Sequence, residues 1–344
     1  MKFLLKNTAL FLGAMLISLS MLYAGGGNRN GTGGATELTI PVGVRGISLG
    51  GSTVANAYGI EALYWNPAGI AKGDRNVEAT FSYMSYIADI GLNYGAISAN
   101  VPGVGVFALS IKALSFGEIG VTTVQNPDGT GQEYNPLFLT AGLSFAKNLS
   151  DRIAVGLTAN FINEKIDQVT ASGIAFNIGV MYENLANFEG LNFAVVMKNL
   201  GPEMKYDGNG LYTQAIVSGY KRATQFYKVD AASFELPSTL EFGLSYSPQM
   251  SEMNSLMVAT TFQNNNFSGD EYKIGLEYGY ANTLFLRGGY GMAPELESDE
   301  YIFGFTAGMG LNYDVGQSSI KIDYAYRDVE FFDANHIFSV AFGL

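Results

Sequence analysis

The 344-residue sequence contains no cysteine, one histidine and one tryptophan. Without cysteine there is no disulfide, no thiolate metal site and no residue for lipid attachment. His336 has no cysteine partner and little scope for a Ser-His-Asp site, and the run Asp207-Gly208-Asn209-Gly210 lacks the spacing and distal carboxylate of a calcium loop. We therefore predict a protein that is not an enzyme, with no catalytic residues, no cofactor and no metal site.

Charged residues are also scarce. They make up 15% of the sequence, against about 25% in average soluble proteins, whereas aromatic residues reach 13% and there are 43 glycines. The formal charge of −12 argues against nucleic acid as a partner. This composition is typical of an outer-membrane β-barrel, and a soluble β-sandwich repeat protein is the alternative.

Long apolar runs are nearly absent as well. The run from Ala9 to Leu22 follows two lysines and precedes Tyr23-Ala24, which is the layout of a secretory signal. It is shorter than the roughly 20 residues that a spanning helix needs. We predict a signal peptide over residues 1–24, cleaved after Ala24, which exports the chain through the inner membrane. Residues 25–35 are too poor in apolar groups to fold alone and are predicted to form a flexible tether.

The sequence is rich in alternation between apolar and polar residues from position 76 to the end, which is the period of a β-strand. In residues 272–280, tyrosine, isoleucine and leucine form one face, and Lys273 and Glu277 lie on the other. These two residues, with Lys321 and Asp323, are predicted to pair across a lumen, and a selectivity ring is the alternative. The longest apolar face is predicted for Tyr301, Phe303, Phe305, Ala307, Met309, Leu311 and Tyr313.

Fourteen such segments follow one another, and most have the nine to eleven or more residues that a tilted spanning strand requires. They cover residues 76–88, 90–101, 103–116, 136–147, 151–165, 170–183, 190–200, 236–247, 253–265, 270–281, 283–292, 299–313, 318–327 and 334–344. We predict an all-β fold, a 14-stranded antiparallel transmembrane β-barrel over residues 76–344.

Connection lengths support this topology. In a barrel with both ends of the sheet on one side, connections after odd strands are expected to be external and long. The two longest, at about 117–135 and 201–235, follow the third and seventh strands, and the tight connection near Ala88-Asp89 is the exception. The second loop mixes aromatic residues with cations and is a candidate partner surface, although an unspecialised surface explains it equally well. Its candidate residues are Tyr220, Lys221, Arg222, Phe226, Tyr227 and Lys228.

Within residues 36–75, the stretch from Leu63 to Ile70 is neither strand nor surface helix, and a short apolar helix through Ala62 is predicted before it. The glycines of residues 36–75, among them Gly43, Gly50 and Gly51, are spaced for close backbone approach, and Asn66-Pro67 predicts a turn. We predict a compact hatch inside the barrel, and a subdomain packed outside it is the alternative. The proposed hatch motif is Tyr64, Trp65, Asn66, Pro67, Ala68 and Gly69.

The hatch segments 44–55 and 61–70 are similar to the N-terminal region of the PorV/PorQ family of outer-membrane proteins. Weaker similarities extend over the mature chain, at residues 85–89, 116–119, 163–166, 198–201 and 236–239. The family resembles the long-chain fatty-acid transporters, whose barrel is blocked by a hatch with an Asn-Pro-Ala motif that Asn66, Pro67 and Ala68 match. The resemblance therefore implies the cell outer membrane as the location.

Two functions follow from the resemblance. PorV-like members serve type IX secretion, in which they bind the C-terminal sorting domain of secreted cargo and carry it from the translocon to the attachment machinery. Fatty-acid-transporter relatives pass hydrophobic small molecules, and Tyr64, Trp65 and Ile70 would line such a path, with simple packing as the alternative. A purely structural barrel is a third hypothesis. We predict the secretion role first and hydrophobic solute transport second.

Overall fold

The computed structural model of the protein describes residue 29 and residues 31–215, 224–296, 300–316 and 318–344. The predicted signal peptide, residues 1–24, lies outside the described residues, as does most of the predicted tether before residue 31. No helix in the described ranges is long and apolar enough to cross a membrane.

Fourteen strands in these ranges form one closed antiparallel barrel, which confirms the predicted fold. Each strand pairs with the next along the chain, and the last pairs with the first over Glu78↔Gly343 to Ser85↔His336. The strands are β1 Val77–Ser85, β2 Gly91–Val101, β3 Gly105–Ser115, β4 Leu137–Asn148, β5 Ile153–Ile166, β6 Val169–Tyr182, β7 Leu191–Leu200, β8 Thr239–Tyr246, β9 Asn254–Asn265, β10 Glu271–Tyr280, β11 Leu284–Met292, β12 Phe303–Val315, β13 Ser318–Val329 and β14 Asn335–Gly343.

The outside of the barrel is apolar and the inside is polar. In β10, Ile274 and Leu276 are 39% and 49% exposed on the outside, whereas Glu277 is buried inside. In β3, Ile111 is exposed and the adjacent Lys112 is buried. Soluble monomers rarely expose a continuous apolar surface of this kind. The hydrocarbon core of a bilayer is the solvent that this surface matches.

The predicted apolar face of β12 is wrong at its start. The pairing of β12 with β13 shifts register just after Phe303, where β12 has one extra residue, a β-bulge. Phe305 stays outside and is 53% exposed, but Phe303 packs inside against the Arg327 guanidinium. Tyr301 also points inward, and its hydroxyl donates to Glu271 at 3.4 Å. The bulge therefore brings two aromatic side chains into the lumen.

The two ends of the barrel differ in their connections. The start of β1 and the end of β14 lie at what we call the short-turn end, and residues 116–136 and 201–238 lie at the opposite, long-loop end. The longest connections thus follow odd strands, as predicted. The short connection between β1 and β2 is the predicted exception, and the turn at residues 167–168 after β5 is a second one.

Both long connections contain short strands of their own. In the first, Ile119–Gly120 pairs with Glu133–Tyr134. In the second, Met204–Gly208 pairs with the start of β6, and Tyr212–Ala215 pairs with Gln225–Lys228. We call this last pair the long-loop hairpin. Because β6 begins at the long-loop end, the hairpin lies at that end of the barrel.

The N-terminal segment, residues 36–75, extends between the two ends. Just before it, Arg29 forms an ion pair of 2.7 Å with Glu235 in the connection 201–238 at the long-loop end. At the short-turn end, Lys72 donates to the Asp151 carbonyl at 2.9 Å and pairs with Glu183 at 2.7 Å. Its helices are the 3-10 helix Thr36–Thr39, the α-helix Val44–Ser48, the 3-10 helix Gly59–Glu61, the α-helix Ala62–Trp65 and the 3-10 helix Pro67–Lys72.

Between these ends the segment packs against the inward faces of the strands. Ile47 and Leu63 share an apolar cluster with Met84 of β1 and Leu92 of β2. A second cluster joins other residues of the segment to β5, β6 and β7; its buried members are Val54, Ala55, Ala68, Ala154, Met181, Ala194 and Val196. Burial of apolar area at both walls, at roughly 25 cal/mol per Å², is the main stabilising contribution to this arrangement.

Candidate functional site

Asn66 organises the turn in the middle of the N-terminal segment. Its backbone is extended, with φ −156° and ψ 106°, as expected for a residue before proline. Its Oδ1 accepts from the Ala68 backbone N–H at 3.0 Å and its Nδ2 donates to the Val54 carbonyl at 2.9 Å. Asn66 is thus the N-cap of the helix that begins at Pro67. It closes the turn and ties it to the preceding residues.

Glycines in the wall make room for this turn. A Cβ on Gly156 of β5 would overlap the backbone of Pro67 and Ala68, and one on Gly179 of β6 would overlap the Asn66 amide. Both glycines face inward, where any larger residue would displace the turn. The Asn-Pro-Ala turn therefore lies directly against the backbone of β5 and β6, with no side chain between them.

Tyr64 and Trp65 pack together at a ring distance of 5.0 Å and an angle of 86°. Gly46 lies directly under the Trp65 indole, since a Cβ there would overlap the ring. The Lys198 ammonium lies over both rings, 4.7 Å from the Tyr64 centroid and 5.5 Å from Trp65. This geometry is that of a cation–π contact in a buried site.

A network of four charged side chains, three buried and one, Arg45, half-buried, joins the N-terminal segment to the wall near the short-turn end. Arg45 donates from Nε and Nη2 to the two carboxylate oxygens of Glu277, both at 2.8 Å. Arg287 donates to Glu277 at 2.6 Å and also to Asp323. The bidentate geometry is the strong form of this interaction. We call these residues the arginine network.

The lumen charges therefore form ion pairs, as predicted, but the partners differ from the predicted ones. Glu277 and Asp323 pair with arginines, and Lys273 pairs with its neighbour Glu271 at 3.1 Å. Arg45 belongs to the N-terminal segment, 232 residues away from Glu277, so the pattern within one strand gave no indication of it.

Two cavities lie in the lumen, one on each side of the N-terminal segment. The first, of about 330 Å³, is near the long-loop end and is lined by residues that include Tyr64, Trp65 and Arg327. The second, of about 390 Å³, is near the short-turn end and is lined by residues that include Arg45 and Lys321. We call the first the upper chamber and the second the lower chamber. Ile70, which was predicted with Tyr64 and Trp65 as a lining residue, is packed in the apolar cluster instead.

Glu37 is a buried carboxyl group in the first helix of the N-terminal segment, and it is 2% exposed. Burial is the first cause that raises its pKa, and the nearby Glu164 carboxylate is the second; together they raise the pKa from the ordinary 4.5 to about 8. The neighbouring Lys112 donates to the Glu37 backbone carbonyl at 2.6 Å. Glu37 is therefore protonated in the folded protein at neutral pH.

This shift makes the docking of the N-terminal segment sensitive to pH. Because the folded-state pKa is raised, the stabilisation by Glu37 is complete below pH 4.5 and is lost as the pH rises through about 8. We expect limited proteolysis of residues 36–41 to be about tenfold faster at pH 9 than at pH 7. The Glu37→Gln variant keeps the neutral form and should show no such change. Equal pH dependence in both proteins would contradict this assignment.

The long-loop hairpin contains half of the predicted partner surface. Phe226 is 69% exposed and Tyr227 is 39% exposed. Lys228 forms an ion pair with Asp207, so its charge is partly neutralised. The predicted residues Tyr220, Lys221 and Arg222 lie outside the described residues.

Within the described part of the chain, no group of three or more histidine, cysteine, aspartate or glutamate side chains is arranged to hold a metal ion. The structure thus offers an apolar exterior, an N-terminal segment packed against the inward faces of several strands, two chambers and an aromatic hairpin. The sequence model of the family described as Type IX secretion system protein PorV matches residues 26–219, more than half of the chain. The chain belongs to the PorV family.

Solved structures of hydrocarbon channels share the fold of this PorV-family protein. The Ralstonia pickettii toluene transporter TbuX is 14% identical, with a TM-score of 0.55 over 88% of this chain and 98% of that chain. The P. putida toluene transporter TodX is 13% identical, with a TM-score of 0.54 over 88% and 97%. The monoaromatic hydrocarbon channel CymD is 14% identical, with a TM-score of 0.54 and the same coverage. Identities this low show the fold alone.

A search of curated proteins gives no significant match. The barrel and the family together support the outer membrane as the location of this PorV-family protein. Sequence reasoning identified the Asn-Pro-Ala turn but missed the residues that surround it. At the turn these are Gly156 and Gly179; elsewhere in the lumen it also missed Arg45, Arg287 and Arg327. The signal available in the sequence was the position of Gly156 and Gly179 in the apolar–polar alternation of their strands, which places both on the inward face.

Proposed function

We propose that this PorV-family protein is a non-enzymatic component of type IX secretion that binds secreted cargo at its long-loop end. In this proposal the long-loop end faces the cell exterior, and the partners are the secretion translocon and the C-terminal sorting domains of cargo. The observation that carries the proposal is the family match. The barrel supplies a membrane anchor, and the loops supply the surface for recognition.

The N-terminal segment is the hatch of this proposed carrier. Its contacts reach β1 and β2 on one side and β5 to β7 on the other, and Arg45 fixes it to β10. A hatch held in this way would keep the outer membrane impermeable while cargo binds outside. Cargo recognition therefore falls to the loops, and the lumen remains closed.

The long-loop hairpin is the proposed cargo surface. Phe226 and Tyr227 are exposed aromatic side chains on the short strand Gln225–Lys228, which pairs with Tyr212–Ala215. Aromatic residues of this kind dominate the energetics of many protein interfaces, where single truncations cost about 2 kcal/mol or more. The ion pair between Lys228 and Asp207 would orient the strand that presents them.

We predict that replacing both Phe226 and Tyr227 with aspartate weakens cargo binding by at least about tenfold, because each change removes an aromatic contact and adds a charge to the interface. The measurement is mass spectrometry of the cell surface and the medium, in a deletion strain that carries either the wild-type or the variant gene. Cargo with C-terminal sorting domains should be lost from the surface or should keep those domains uncleaved.

The matched control is Val124→Asp in the other long connection, where Val124 is 95% exposed. It adds one aspartate, against two in the hairpin variant, at an exposed apolar position and should leave cargo at the surface. The heat-dependent gel shift of folded barrels checks that each variant is assembled. An unchanged surface proteome in the deletion strain itself would overturn the secretion role, whereas normal cargo with the hairpin variant alone would move the cargo site elsewhere.

A second candidate function is the passage of a small organic molecule, and the two chambers favour it. Cavities of about 330 and 390 Å³ lie on either side of the N-terminal segment, within the size range of ligand sites. Passage would require the segment to move, since it lies between them. Uptake of a labelled solute by cells with and without the protein tests this candidate separately from secretion.

A further inference from the structure

Arg327 of β13 is a buried cation whose charge is not matched by a carboxylate. It is 6% exposed and lines the upper chamber, yet no ion pair joins it to any carboxylate among the described residues. Its guanidinium stacks on the Phe303 ring at 4.0 Å. With the Asn335 amide oriented so that its oxygen faces the arginine, that oxygen accepts from Nη2 and Nε of Arg327 at 2.8 and 3.2 Å. Within the described residues the guanidinium has no further hydrogen-bond partner, so the other edge of the fork can donate.

The other charges of the upper chamber balance one another. Lys198 pairs with Glu241 at 2.8 Å, and Lys273 pairs with Glu271 at 3.1 Å. Glu300 also lines the chamber, but it is exposed at the rim. Among the buried side chains that the structure describes in the chamber, this leaves one positive charge in excess. Burial of an uncompensated charge is unfavourable in free energy. A bound anion would therefore be stabilised by Arg327 in this chamber.

The shape of the anion follows from the remaining walls. Aromatic side chains surround the chamber, namely Tyr64, Trp65, Tyr301 and Phe303. A planar guanidinium fork matches a carboxylate, because two parallel N–H groups of the guanidinium can donate to the two carboxylate oxygens. A volume of about 330 Å³ is that of a small-molecule site.

We propose that the upper chamber binds a small aromatic carboxylate, with the Arg327 fork holding the carboxylate and the surrounding rings holding the body. The inference rests on the second candidate function and names its class of solute. A neutral hydrocarbon in this chamber would leave the buried charge of Arg327 uncompensated. The bulge in β12 contributes directly, because it brings Tyr301 and Phe303 inside.

The sole tryptophan of the chain is itself a chamber residue, so its fluorescence reports on this site. The full-length mature protein, folded in detergent micelles, is titrated with benzoate and separately with benzamide, its neutral isostere. We expect a saturable change in Trp65 emission with benzoate and binding of benzamide that is weaker by at least about tenfold. Isothermal calorimetry supplies an independent reading of the same equilibrium.

The variant Arg327→Met removes the charge and keeps an apolar stem of similar length. It should weaken benzoate binding by at least about tenfold. The matched control is Lys321→Met, because Lys321 lies on the same strand but lines the lower chamber; its affinity should stay within about twofold. The heat-dependent gel shift and the Trp65 emission without ligand check the folding of both variants.

Several results would overturn the proposal. These are no saturable binding of benzoate by either method, equal binding by Arg327→Met, or benzamide bound as tightly as benzoate. Binding is measured on the purified protein, and passage is measured by uptake in cells. Benzoate binding without uptake would therefore support the chamber and reject passage, and it would leave the secretion proposal untouched.

Discussion

Replacing Glu277 with alanine is expected to destabilise the protein by about 3–5 kcal/mol and to release Arg45 from the barrel wall. Glu277 accepts both hydrogen bonds of the Arg45 fork and a third from Arg287. Its removal leaves two guanidinium groups with Asp323 as the one carboxylate of the arginine network. The loss would be measured by urea unfolding in detergent micelles, from the shift of the midpoint at constant slope.

A control at the same end of the barrel separates burial from charge alone. Arg75 and Asp314 form an ion pair of 2.6 Å, but Asp314 is 47% exposed, so Asp314→Ala should cost less than about 1 kcal/mol. Adding Arg45→Met to Glu277→Ala should recover a large part of the lost stability, because one uncompensated charge is removed. Equal effects of Glu277→Ala and Asp314→Ala would contradict the role of the arginine network.

Replacing Gly156 with valine is expected to expel the Asn-Pro-Ala turn from the wall while the strand itself remains. A Cβ at this position would overlap backbone atoms of Pro67 and Ala68, and backbone atoms cannot rotate away as a side chain can. Valine otherwise favours a β-strand, so the barrel should still form. Overpacking of this kind typically costs about 1–3 kcal/mol, and the close backbone contact at the turn places this change at the upper end.

The expected readouts of Gly156→Val are a red-shifted Trp65 emission and fast proteolysis of residues 62–72, with a normal heat-dependent gel shift. The control is Gly95→Val in β2, where the nearest atom to a new Cβ is the Thr80 carbonyl oxygen at 3.9 Å. That variant should behave like the wild type. Slow proteolysis and unchanged emission in Gly156→Val would show that the turn is not held against β5.

The strands were predictable because a barrel between lipid and a polar lumen imposes the period of two on every strand. All fourteen segments found in the sequence correspond to strands. The bulge in β12 was not predictable, because Phe303 and Phe305 are both aromatic and continue the alternation across it. Gly304 between them was the available sign, since glycine in a strand often marks a bulge.

The candidate site was predictable only in part, and the reason is sequence distance. The Asn66 turn is local, so its residues are visible in a short stretch. The partners of Arg45 and Arg327 depend on the closed barrel, which brings together residues far apart in the chain. No pattern within one strand shows that Arg327 would face aromatic side chains from β12 or that Glu277 would meet Arg45.

The path of the N-terminal segment has a consequence for the order of assembly. The chain enters near Glu235 at the long-loop end and leaves at Lys72 at the short-turn end, immediately before β1. Asn66, Pro67 and Ala68 lie against Gly156 of β5 and Gly179 of β6 with no room for a side chain between them, so late insertion of the segment would require these strands to separate. We therefore expect the seam between β1 and β14 to close around the N-terminal segment, which would then set the circumference of the barrel.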